Sequence, residues 1–541
     1  MSSQGYIPKD LSFDKQGRDK LISGISKISH AVKSTLGPRG KTVLIESPDH
    51  LGGITITKDG VTVAKSISLD DPVENLAIQM MKDAANRTAS VAGDGTTTAI
   101  VLTEALIKAG NMYISQDENV TEVIRHINKL TAKAVEQLKE LSQDVTDSKL
   151  LDVASISANN DIEIGDIISK AYAKVGKHGI VTVEKSMNSE TYAEVTNGIR
   201  VDRGYTSNLF INNQRKDECI LEDVKVLVSD TEISNILQIE NILKPIIQQN
   251  DKLLIIGNCS PNVINTLAAN VVRNGLKLCN IIPPNFGYKQ HELMQDIAIS
   301  VGAKFFSEKT GDDLSIITVQ DLGHADKIIV GKESSVIIKH NQVTEEITNR
   351  IEELKEQQSN TSNENDKKFI NERIASLSGA IGCIYVGGNS DVEQKEKFDR
   401  VDDSVCAVKS ALDEGIIPGG GVALLGIANK LSDLSATNKS NEWKAAKQVL
   451  TEAFRSPIKQ ILANAGMETE EIIKHLSVTK SKSKKSYGYD VKNEKYGDMF
   501  KMGVIDPLKV TKNALINAVS VATTILSTNA IVTHARIKQK D

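Results

Sequence analysis

The sequence predicts a multidomain α+β protein in which mostly helical parts at both chain ends enclose an α/β part. Its 541 residues exceed the roughly 250–300 residues at which a single hydrophobic core stops growing. Helical periodicity dominates the first third and the last part of the chain, whereas short apolar runs alternate with helical patterns in the middle. This order indicates an α/β domain inserted between two helical halves.

Two segments represent the helical halves. The stretch "TEVIRHINKLTAKAVEQLKEL" at 121–141 predicts an amphipathic helix docked on a core, because its apolar residues recur on one face. These residues are Ile124, Ile127, Leu130, Ala134, Leu138 and Leu141. The stretch 511–532 is rich in small and β-branched residues, which is typical of a closely packed buried helix.

The middle of the chain has a different pattern. Short apolar runs at 252–257, 327–331 and 335–339 are bounded by turn residues and predict strands. A helical pattern at 233–244 lies among them. The polar stretch 356–368 separates two charged helical segments and predicts the tip of a helical hairpin.

Composition excludes several classes of protein. The net charge of −5 disfavours general binding to nucleic acid. Five widely spaced cysteines without a CxxC pair argue against a disulfide framework or a zinc site and favour a reducing compartment. The N-terminal residues include several aspartates and no apolar segment, and no apolar run reaches about 18 residues. We therefore expect a cytosolic protein without a targeting signal or a membrane partner.

Four glycine-rich segments indicate nucleotide chemistry, and the first is "TLGPRGKT" at 35–42. Gly40, Lys41 and Thr42 supply the last part of a P-loop, but Thr35 stands where that motif requires a glycine. The segment is therefore not a P-loop. It is either an ordinary Gly-Pro turn or a turn whose backbone N–H groups face a phosphate.

The second segment, "TITKDGVTVAK" at 55–65, has alternating apolar residues around Lys58, Asp59 and Gly60. Taken alone, this pattern predicts a β-hairpin with an Asp-Gly turn.

The third segment, "VAGDGTTTAI" at 91–100, places one carboxylate between two glycines and three hydroxyls directly after the second glycine. Asp94 is suited to Mg²⁺, a hard cation that takes carboxylate and phosphate oxygens together. Thr96, Thr97 and Thr98 would begin a helix, whose free N–H groups and dipole favour an anion. The alternative is an Asp or Thr cap without a ligand, although one cap needs one hydroxyl and not three.

The fourth segment, at 400–425, pairs Asp402 and Asp403 with a Gly-Gly-Gly turn at 419–421. Taken alone, these features are a helix start and a loop. Together, the four segments place carboxylates, a lysine and glycine-rich turns in the two helical halves. They predict one nucleotide site assembled from both ends of the chain.

These segments belong to seven blocks that, in this order, resemble the group I chaperonins, the GroEL/Hsp60-like family. The resemblance is collinear over nearly the whole chain, and the last block is especially diagnostic. The blocks are AVKSTLGPRGKTVLIE, ITITKDGVTVAKSI, AGDGTTTAIVLTEALI, VDRGYTSNLFI, LMQDIAISVGAKFFSE, RVDDSVCAVKSALDEGIIPGGGVALL and YGYDVKNEKYGDMFKMGVIDPLKVTKNAL.

The resemblance implies the chaperonin fold and a ring-forming subunit that binds non-native proteins and uses ATP to encapsulate or release them. Seven subunits would form a ring, single or double, with a co-chaperonin lid as a further partner. The implied domains are equatorial (1–140 and 414–541), intermediate (141–196 and 382–413) and apical (197–381).

The same resemblance implies the residues of an ATPase site. ATP would lie on Thr35, Leu36, Gly37 and Pro38, with Lys58 near the phosphates and K⁺ near the turns at Thr35 and Lys58. Asp94 would ligate Mg²⁺, and Gly95, Thr96, Thr97 and Thr98 would wrap the phosphates. The nucleoside end would meet Gly420, Asp506 and, in place of the usual Asn-Ala-Ala, Asp490, Val491 and Lys492. Asp403 would act with Asp59 on the attacking water.

In the apical part, the resemblance implies hinges at Gly198 and Gly379, and Ala380 stands where relatives commonly have a second glycine. The implied client-binding residues are Tyr205, Leu209, Phe210, Leu243, Ile264, Ala268 and Ala269. Glu240 lies where relatives are apolar, and Ala268 and Ala269 replace larger side chains. We therefore expect a shallower and more polar client groove.

Two other functions compete with a folding chaperonin. A small-molecule enzyme that uses ATP would need polar catalytic groups in 200–380, where no motif for one occurs. A scaffold derived from a chaperonin would have lost its ATPase residues, whereas Asp59, Asp94 and Asp403 are intact.

Overall fold

The computed structural model describes residues 9–46, 54–115, 117–176, 180–214, 217–339, 345–361, 363–377, 380–435, 439–480 and 486–535. They form two compact units. The first contains residues 1–170, 183–192 and 384–541, and the second contains residues 171–182 and 193–383. The predicted multidomain α+β class is confirmed.

The N-terminal part of the chain is mostly helical. Its strands are β1 (Lys9–Phe13), β2 (Val43–Glu46), β3 (Ile54–Thr57) and β4 (Ile180–Lys185). Its helices are α1 (Asp14–Lys33), α2 (Gly60–Ser66), α3 (Pro72–Ala92), α4 (Thr96–Tyr113), α5 (Val120–Leu141), α6 (Asp147–Ser157) and α7 (Ile162–Val175).

The middle of the chain alternates strands and helices. Its strands are β5 (Tyr192–Val201), β6 (Cys219–Ser229), β7 (Lys252–Ile256), β8 (Leu278–Ile281), β9 (Phe305–Phe306), β10 (Gly323–Val330), β11 (Ser335–Lys339) and β12 (Ala380–Val386). Its helices are α8 (Glu240–Gln249), α9 (Pro261–Asn274), α10 (Gly287–Val301), α11 (Glu345–Asn360) and α12 (Glu364–Leu377).

The C-terminal part is again mostly helical. Its helices are α13 (Asp391–Glu414), α14 (Val422–Asp433), α15 (Asn441–Asn464), α16 (Thr469–Lys480) and α17 (Leu508–Ser527). Its strands are β13 (Ile416–Pro418), β14 (Tyr487–Asp490), β15 (Lys495–Asp498), β16 (Ile505–Pro507) and β17 (Ala530–His534). In the part of the chain that the structure describes, no helix has both the length and the apolar character that a membrane crossing requires.

Most of the predicted elements are confirmed. The amphipathic helix at 121–141 is α5, although Val123 is fully buried and Ile124 only half-buried. The runs at 252–257, 327–331 and 335–339 are β7, the last part of β10, and β11. Helices α11 and α12 form the predicted hairpin and pack against each other.

Two predicted helices are shorter than expected. The pattern at 511–532 gives a helix only to Ser527, after which β-branched residues form β17 and pair with β1. In the pattern at 233–244, the α-helix begins only at Glu240, after a short 3₁₀ turn at Ile236–Ile239. The capping box of Asn235 and Gln238 holds that turn, which the apolar periodicity does not reveal.

The core of the first unit joins helices from both chain ends. Helix α4 packs against α15 and α17, and helices α1, α3, α5 and α14 surround these three. The apolar side chains of α4 that face this core, including Ile100, Leu102 and Leu106, are fully buried. The two distant glycine-rich regions therefore belong to one packed body.

The second unit is built on a mixed sheet. Within it, the strand order is β5-β11-β10-β6-β7-β8, and β9 lies beside β6. Strands β6, β7 and β8 are parallel, and the apolar run Leu253–Ile256 of β7 is fully buried. Such continuous apolar runs are typical of parallel strands covered on both faces.

A buried ion network fixes the α11–α12 hairpin to α10. The Asp296 carboxylate on α10 accepts hydrogen bonds from Nε of Arg350 on α11 at 3.0 Å and from Nε of Arg373 on α12 at 2.6 Å. Glu292 forms ion pairs with the same two arginines. Asp296 is 4% exposed and Arg373 0% exposed, so the charges depend on one another for compensation.

Replacing Asp296 by Ala should destabilise the second unit, because it leaves two arginines without their central anion. We expect a loss of about 3–5 kcal/mol in the free energy of unfolding. The measurement is urea unfolding followed by circular dichroism. The half-exposed pair Lys225–Asp251 provides the control: Asp251→Ala should cost at most about 1 kcal/mol. Equal effects of both variants would contradict the role of the network.

Candidate functional site

The turn between α3 and α4 positions Asp94. Gly93 and Gly95 both have left-handed backbone conformations, with φ of 73° and 84°. A Cβ atom at Gly93 would lie 2.1 Å from Cβ of Cys406, and one at Gly95 would lie 2.6 Å from Cγ1 of Val510. Both glycines are therefore required by conformation and by space.

The first turn of α4 has the features that favour an anion. Its N-cap is Gly95, and no side chain caps the helix. Asp94 accepts a hydrogen bond from the N–H of the adjacent Gly95, which is not the pattern of an N-cap. Thr96 is buried, and Thr97 and Thr98 are half-buried at the same helix start. Uncapped N–H groups and the helix dipole favour a negatively charged group here.

Asp59 and Asp506 each lie close enough to Asp94 for their charges to interact. Burial and the charge of Asp59 raise the pKa of Asp94, although hydrogen bonds from Gly95 and Ser157 oppose the shift. Burial and the charge of Asp94 raise the pKa of Asp506 to about 7. A cation among these groups would relieve both the burial cost and the mutual repulsion.

Asp59 lies at a helix start and not in a hairpin turn, so the predicted Asp-Gly hairpin is wrong. Its carboxylate accepts hydrogen bonds from the N–H groups of Val61 and Thr62 and from the Thr62 hydroxyl, and it thereby caps α2. Strand β3, which precedes it, pairs with β2. A Cβ atom at Gly60 would lie 2.2 Å from Oγ1 of Thr97, so this cap packs directly against the first turn of α4.

The segment after α1 forms a tight turn. Gly37 has a φ of 88°, and a Cβ atom at Gly40 would lie 2.0 Å from the carbonyl oxygen of Thr35. The side-chain amide of Asn464, on α15, donates to the carbonyl oxygens of Lys33 and Leu36, both at 2.8 Å. Sequence reasoning missed Asn464, because it lies more than four hundred residues away and outside every motif.

The hairpin β14–β15 borders the same turn. Arg39 and Glu494 form an ion pair at 2.6 Å. Asp490 is buried, and its carboxylate accepts hydrogen bonds from the backbone N–H groups of Lys492 and Asn493 and from the Asn493 amide. Its oxygens therefore serve the hairpin turn.

The other hairpin residues predicted at the nucleoside end differ in exposure. Val491 is buried in a small core against which Leu36 packs, whereas Lys492 is exposed. Pro38 follows Leu36 in the turn after α1, and Lys58 is half-buried beside Asp59.

Gly420 and Asp506 lie on neighbouring segments. Strand β13 pairs with β16, so that Ile417 is opposite Asp506. A Cβ atom at Gly419 would lie 2.9 Å from Oδ1 of Asp506, and Gly420 has a φ of 64°. The three-glycine turn therefore allows the close approach of the two segments.

Helix α13, which contains Asp403, passes beside the turn that holds Asp94. Cys406 packs against Gly93, and the Ser410 hydroxyl donates to the carbonyl oxygen of Ala92 at 3.0 Å. Residues three to four positions apart share a helix face, so Asp403 lies on the face that contains Cys406. Asp403 is half-buried and its neighbour Asp402 is buried.

The donor set suits Mg²⁺ held together with phosphate. Among the described residues, no group of three or more His, Cys, Asp or Glu side chains could hold a metal ion by itself. Mg²⁺ usually takes one or two carboxylates and completes its shell with phosphate oxygens and water. Asp94 beside an uncapped helix start matches that requirement.

The predicted apical residues fall into two groups. Phe210, Leu243 and Ala268 are buried in the core of the second unit, so they present no surface in this structure. The others retain exposed area: Leu209 is 54% exposed, and Tyr205, Ile264 and Ala269 are half-buried.

The two predicted hinges differ in what the structure describes. Gly198 lies within β5, where a Cβ atom would be 2.0 Å from Cδ1 of Ile381. Gly379 lies outside the described residues.

Comparison with known proteins agrees with this arrangement. The TCP-1/cpn60 chaperonin family matches residues 28–536. The chain belongs to this family. The resemblance to GroEL-like chaperonins is confirmed, and ATP-dependent protein folding is the function that goes with membership.

Solved structures show the same fold. The chaperonin gp146 from the bacteriophage EL 2 (Pseudomonas aeruginosa), crystallised in the presence of ATP-BeFx, is 22% identical to the chain. The alignment covers 97% of this chain and 99% of gp146, with a TM-score of 0.63 for crystal form II. For crystal form I the TM-score is 0.58 at the same identity and coverage. The predicted chaperonin fold is thereby confirmed.

Replacing Asp506 by Asn should alter how stability depends on pH in the protein free of nucleotide and Mg²⁺. The folded state favours the protonated carboxyl, whose pKa is raised from 3.8 to about 7. Stability of the unmodified protein is therefore lost as pH rises through this window, and the Asn variant escapes that loss. Thermal unfolding at about pH 5 and about pH 8 should show the variant's advantage increasing with pH. Asp433→Asn, at an exposed site, should show no such trend.

Proposed function

We propose that the chain is an ATPase subunit of a protein-folding ring. The observation that carries this proposal is the position of Asp94 at the uncapped start of α4, where the helix cap formed by Asp59 packs against the first turn and α13, the helix of Asp403, contacts the Gly93 turn. Carboxylates beside an anion site are suited to a nucleotide with its metal ion.

Asp94 would ligate Mg²⁺, and Gly95, Thr96, Thr97 and Thr98 would bind the phosphates. The turn Thr35–Pro38 would also contact the nucleotide, and Lys58 would lie near its phosphates. K⁺ would lie near Thr35 and Lys58. The nucleoside would lie between Gly420, Asp506 and the hairpin at 490–492. The presence of ATP-BeFx with the related phage chaperonin supports nucleotide binding at this fold.

Asp403 and Asp59 would act on the attacking water. Phosphoryl transfer depends mainly on positioning and on charge stabilisation, and a carboxylate within reach of the water can accept its proton. Mg²⁺, when bound, would offset the charge of the phosphates. Asp59 is oriented by the N–H groups that it caps, and Asp403 is oriented by α13.

Ring formation is supported by two exposed pairs of strands in the first unit. Leu44, Ile54 and Ile56 are exposed on the pair β2–β3, and Leu11, Phe13 and Val532 are exposed on the pair β1–β17. Isolated two-stranded sheets are at best marginally stable in water, and apolar edges favour pairing with another chain. We propose that these strands join neighbouring subunits, and a ring of seven subunits is the expected assembly.

The second unit would bind non-native clients. Leu237, Ile247 and Val272 are 63%, 58% and 62% exposed and add to the surface of Leu209. An exposed apolar surface recognises unfolded chains without requiring a particular sequence. A co-chaperonin lid would use the same surface, and Glu240, half-buried at the start of α8 and paired with Lys244, would make that surface more polar.

The domain boundaries and the location in the cell are also proposals. The equatorial, intermediate and apical segments would move about Gly198 and Gly379, as the resemblance implies. All five cysteines are free thiols, which is compatible with the proposed cytosolic location.

Replacing Asp403 by Ala should slow ATP hydrolysis by at least about tenfold while ATP binding stays nearly intact, because a general base is lost. Steady-state phosphate release and equilibrium nucleotide binding measure the two effects. Asp413→Ala, on the same helix but exposed, serves as the matched control and should keep its turnover. Unchanged hydrolysis in the Asp403 variant would refute its role.

Replacing Leu44 by Asp should release subunits from the ring, because it places a charge on an apolar strand that would otherwise be buried between subunits. Size-exclusion chromatography with light scattering should show a particle of several subunits for the unmodified protein and a smaller species for the variant. Val478→Asp, at an exposed apolar site on α16, should keep the large particle. A ring that persists in the Leu44 variant would contradict the proposed contact.

A further inference from the structure

A serine outside every predicted motif holds the carboxylate of Asp94. Ser157 is the last residue of α6, and its hydroxyl donates to Oδ2 of Asp94 at 2.8 Å. The other oxygen, Oδ1, accepts from the N–H of Gly95. Because each carboxylate oxygen can accept more than one bond, both oxygens keep capacity for a cation. The two donors thus fix the orientation of the carboxylate without filling it.

The end of α6 is a tightly defined backbone structure. Asn159 and Asn160 have φ values of 61° and 63°, a conformation that asparagine tolerates better than most residues with a side chain. The N–H of Asn160 donates to the carbonyl oxygen of Ser155 at 2.7 Å, and that of Ala158 donates to Ala154 at 2.9 Å. Ser157 therefore reaches Asp94 from a defined terminus and not from a loose loop.

The same helix is linked to the helix of Asp403. Helix α6 packs against α13. Just beyond the end of α6, the carboxylate of Asp161 forms an ion pair with Arg400 on α13 at 3.4 Å. Arg400 also pairs with Glu396 one turn earlier. Ser157 and Asp403 are therefore carried by two helices that are joined to each other.

We propose that Ser157 is a positioning residue that orients Asp94 for Mg²⁺ and makes this orientation depend on the docking of the α6–α13 pair. The inference rests on the proposed function, because it assigns a partner to the proposed Mg²⁺ ligand. The helix pair α6–α13, which carries Asp403, thus also supplies the hydroxyl that orients the Asp94 carboxylate.

The chemistry of position 157 is selective. Alanine removes the donor and leaves the Asp94 carboxylate held only by Gly95, so it can rotate away from the metal. Threonine keeps the hydroxyl, and cysteine keeps the volume but offers only a weak donor. Loss of a hydrogen-bond partner behind a metal ligand typically costs about 10–100-fold in metal affinity or activity.

The experiment compares Ser157→Ala, Ser157→Thr and Ser157→Cys in the full chain. Hydrolysis is measured at saturating ATP over a Mg²⁺ titration, and ATP binding is measured separately in excess chelator. We expect the Ala and Cys variants to need about tenfold more Mg²⁺ for half-maximal rate, with binding in chelator unchanged. The Thr variant should stay within about threefold of the unmodified protein. Ser148→Ala, at the exposed start of the same helix, is the matched control.

The outcomes distinguish this inference from the proposed function. If the unmodified protein shows no Mg²⁺-dependent hydrolysis, both are overturned. If it does, an unchanged Mg²⁺ requirement in the Ala variant overturns the positioning role alone, as does equal impairment of the Thr and Ala variants, which would indicate packing. Should the Ala variant fail to fold, the Cys variant decides, because its thiol still fills the site but offers only a weak donor.

Discussion

The candidate site in the first unit depends on packing that holds Asp59 and Asp506 close to Asp94, next to an uncapped helix start. Asp59, Asp94 and Asp506 come from distant parts of the chain, and their proximity and burial raise the pKa values of the latter two. Such an arrangement is unfavourable by itself and is held by the packing around it. The glycines at 93 and 95 allow the backbone to approach α13 and α17 closely, and the cap formed by Asp59 packs against the first turn of α4. The surrounding packing therefore keeps these carboxylates close together, and a bound cation would relieve their mutual repulsion.

Helices from the N-terminal and C-terminal parts of the chain form this packing. Helix α4 carries the anion site at its start and supplies fully buried apolar residues along its length, where α15 and α17 cover it. Asn464 on α15 binds two carbonyl groups of the turn after α1, and Arg39 in that turn pairs with Glu494. The second unit has its own core and its own buried ion network at Asp296. The proposed nucleotide site and the proposed client surface therefore rest on separate cores.

Many of the helices, strands and site turns could be predicted from the sequence, because apolar periodicity and glycine-rich motifs are local signals. The stripe on α5, the strands β7 and β11 and the turn at Asp94 are examples. The hairpin at Asp59 was wrong because an Asp-Gly pair suits both a β-turn and a helix cap, and only the partner strand β2 decides between them. Ser157 and Asn464 act through contacts with distant segments, and a single polar residue on a helix carries no sign of its partner. Burial of Phe210, Leu243 and Ala268 depends on how α8 and α9 pack, which residue types do not specify.

The pairing of β1 with β17 has a consequence for how the chain is made. Because α15 and α17 cover α4, and because the terminal strands pair with each other, the first unit remains incomplete until its final residues leave the ribosome. Meanwhile the second unit, contained within residues 171–383, can already bury its own core. The apolar faces of α1, α3 and α4 are not fully covered until α15 and α17 have been synthesised, several hundred residues later. During its own synthesis, this member of the chaperonin family therefore exposes a large apolar surface until its C-terminal helices have been made.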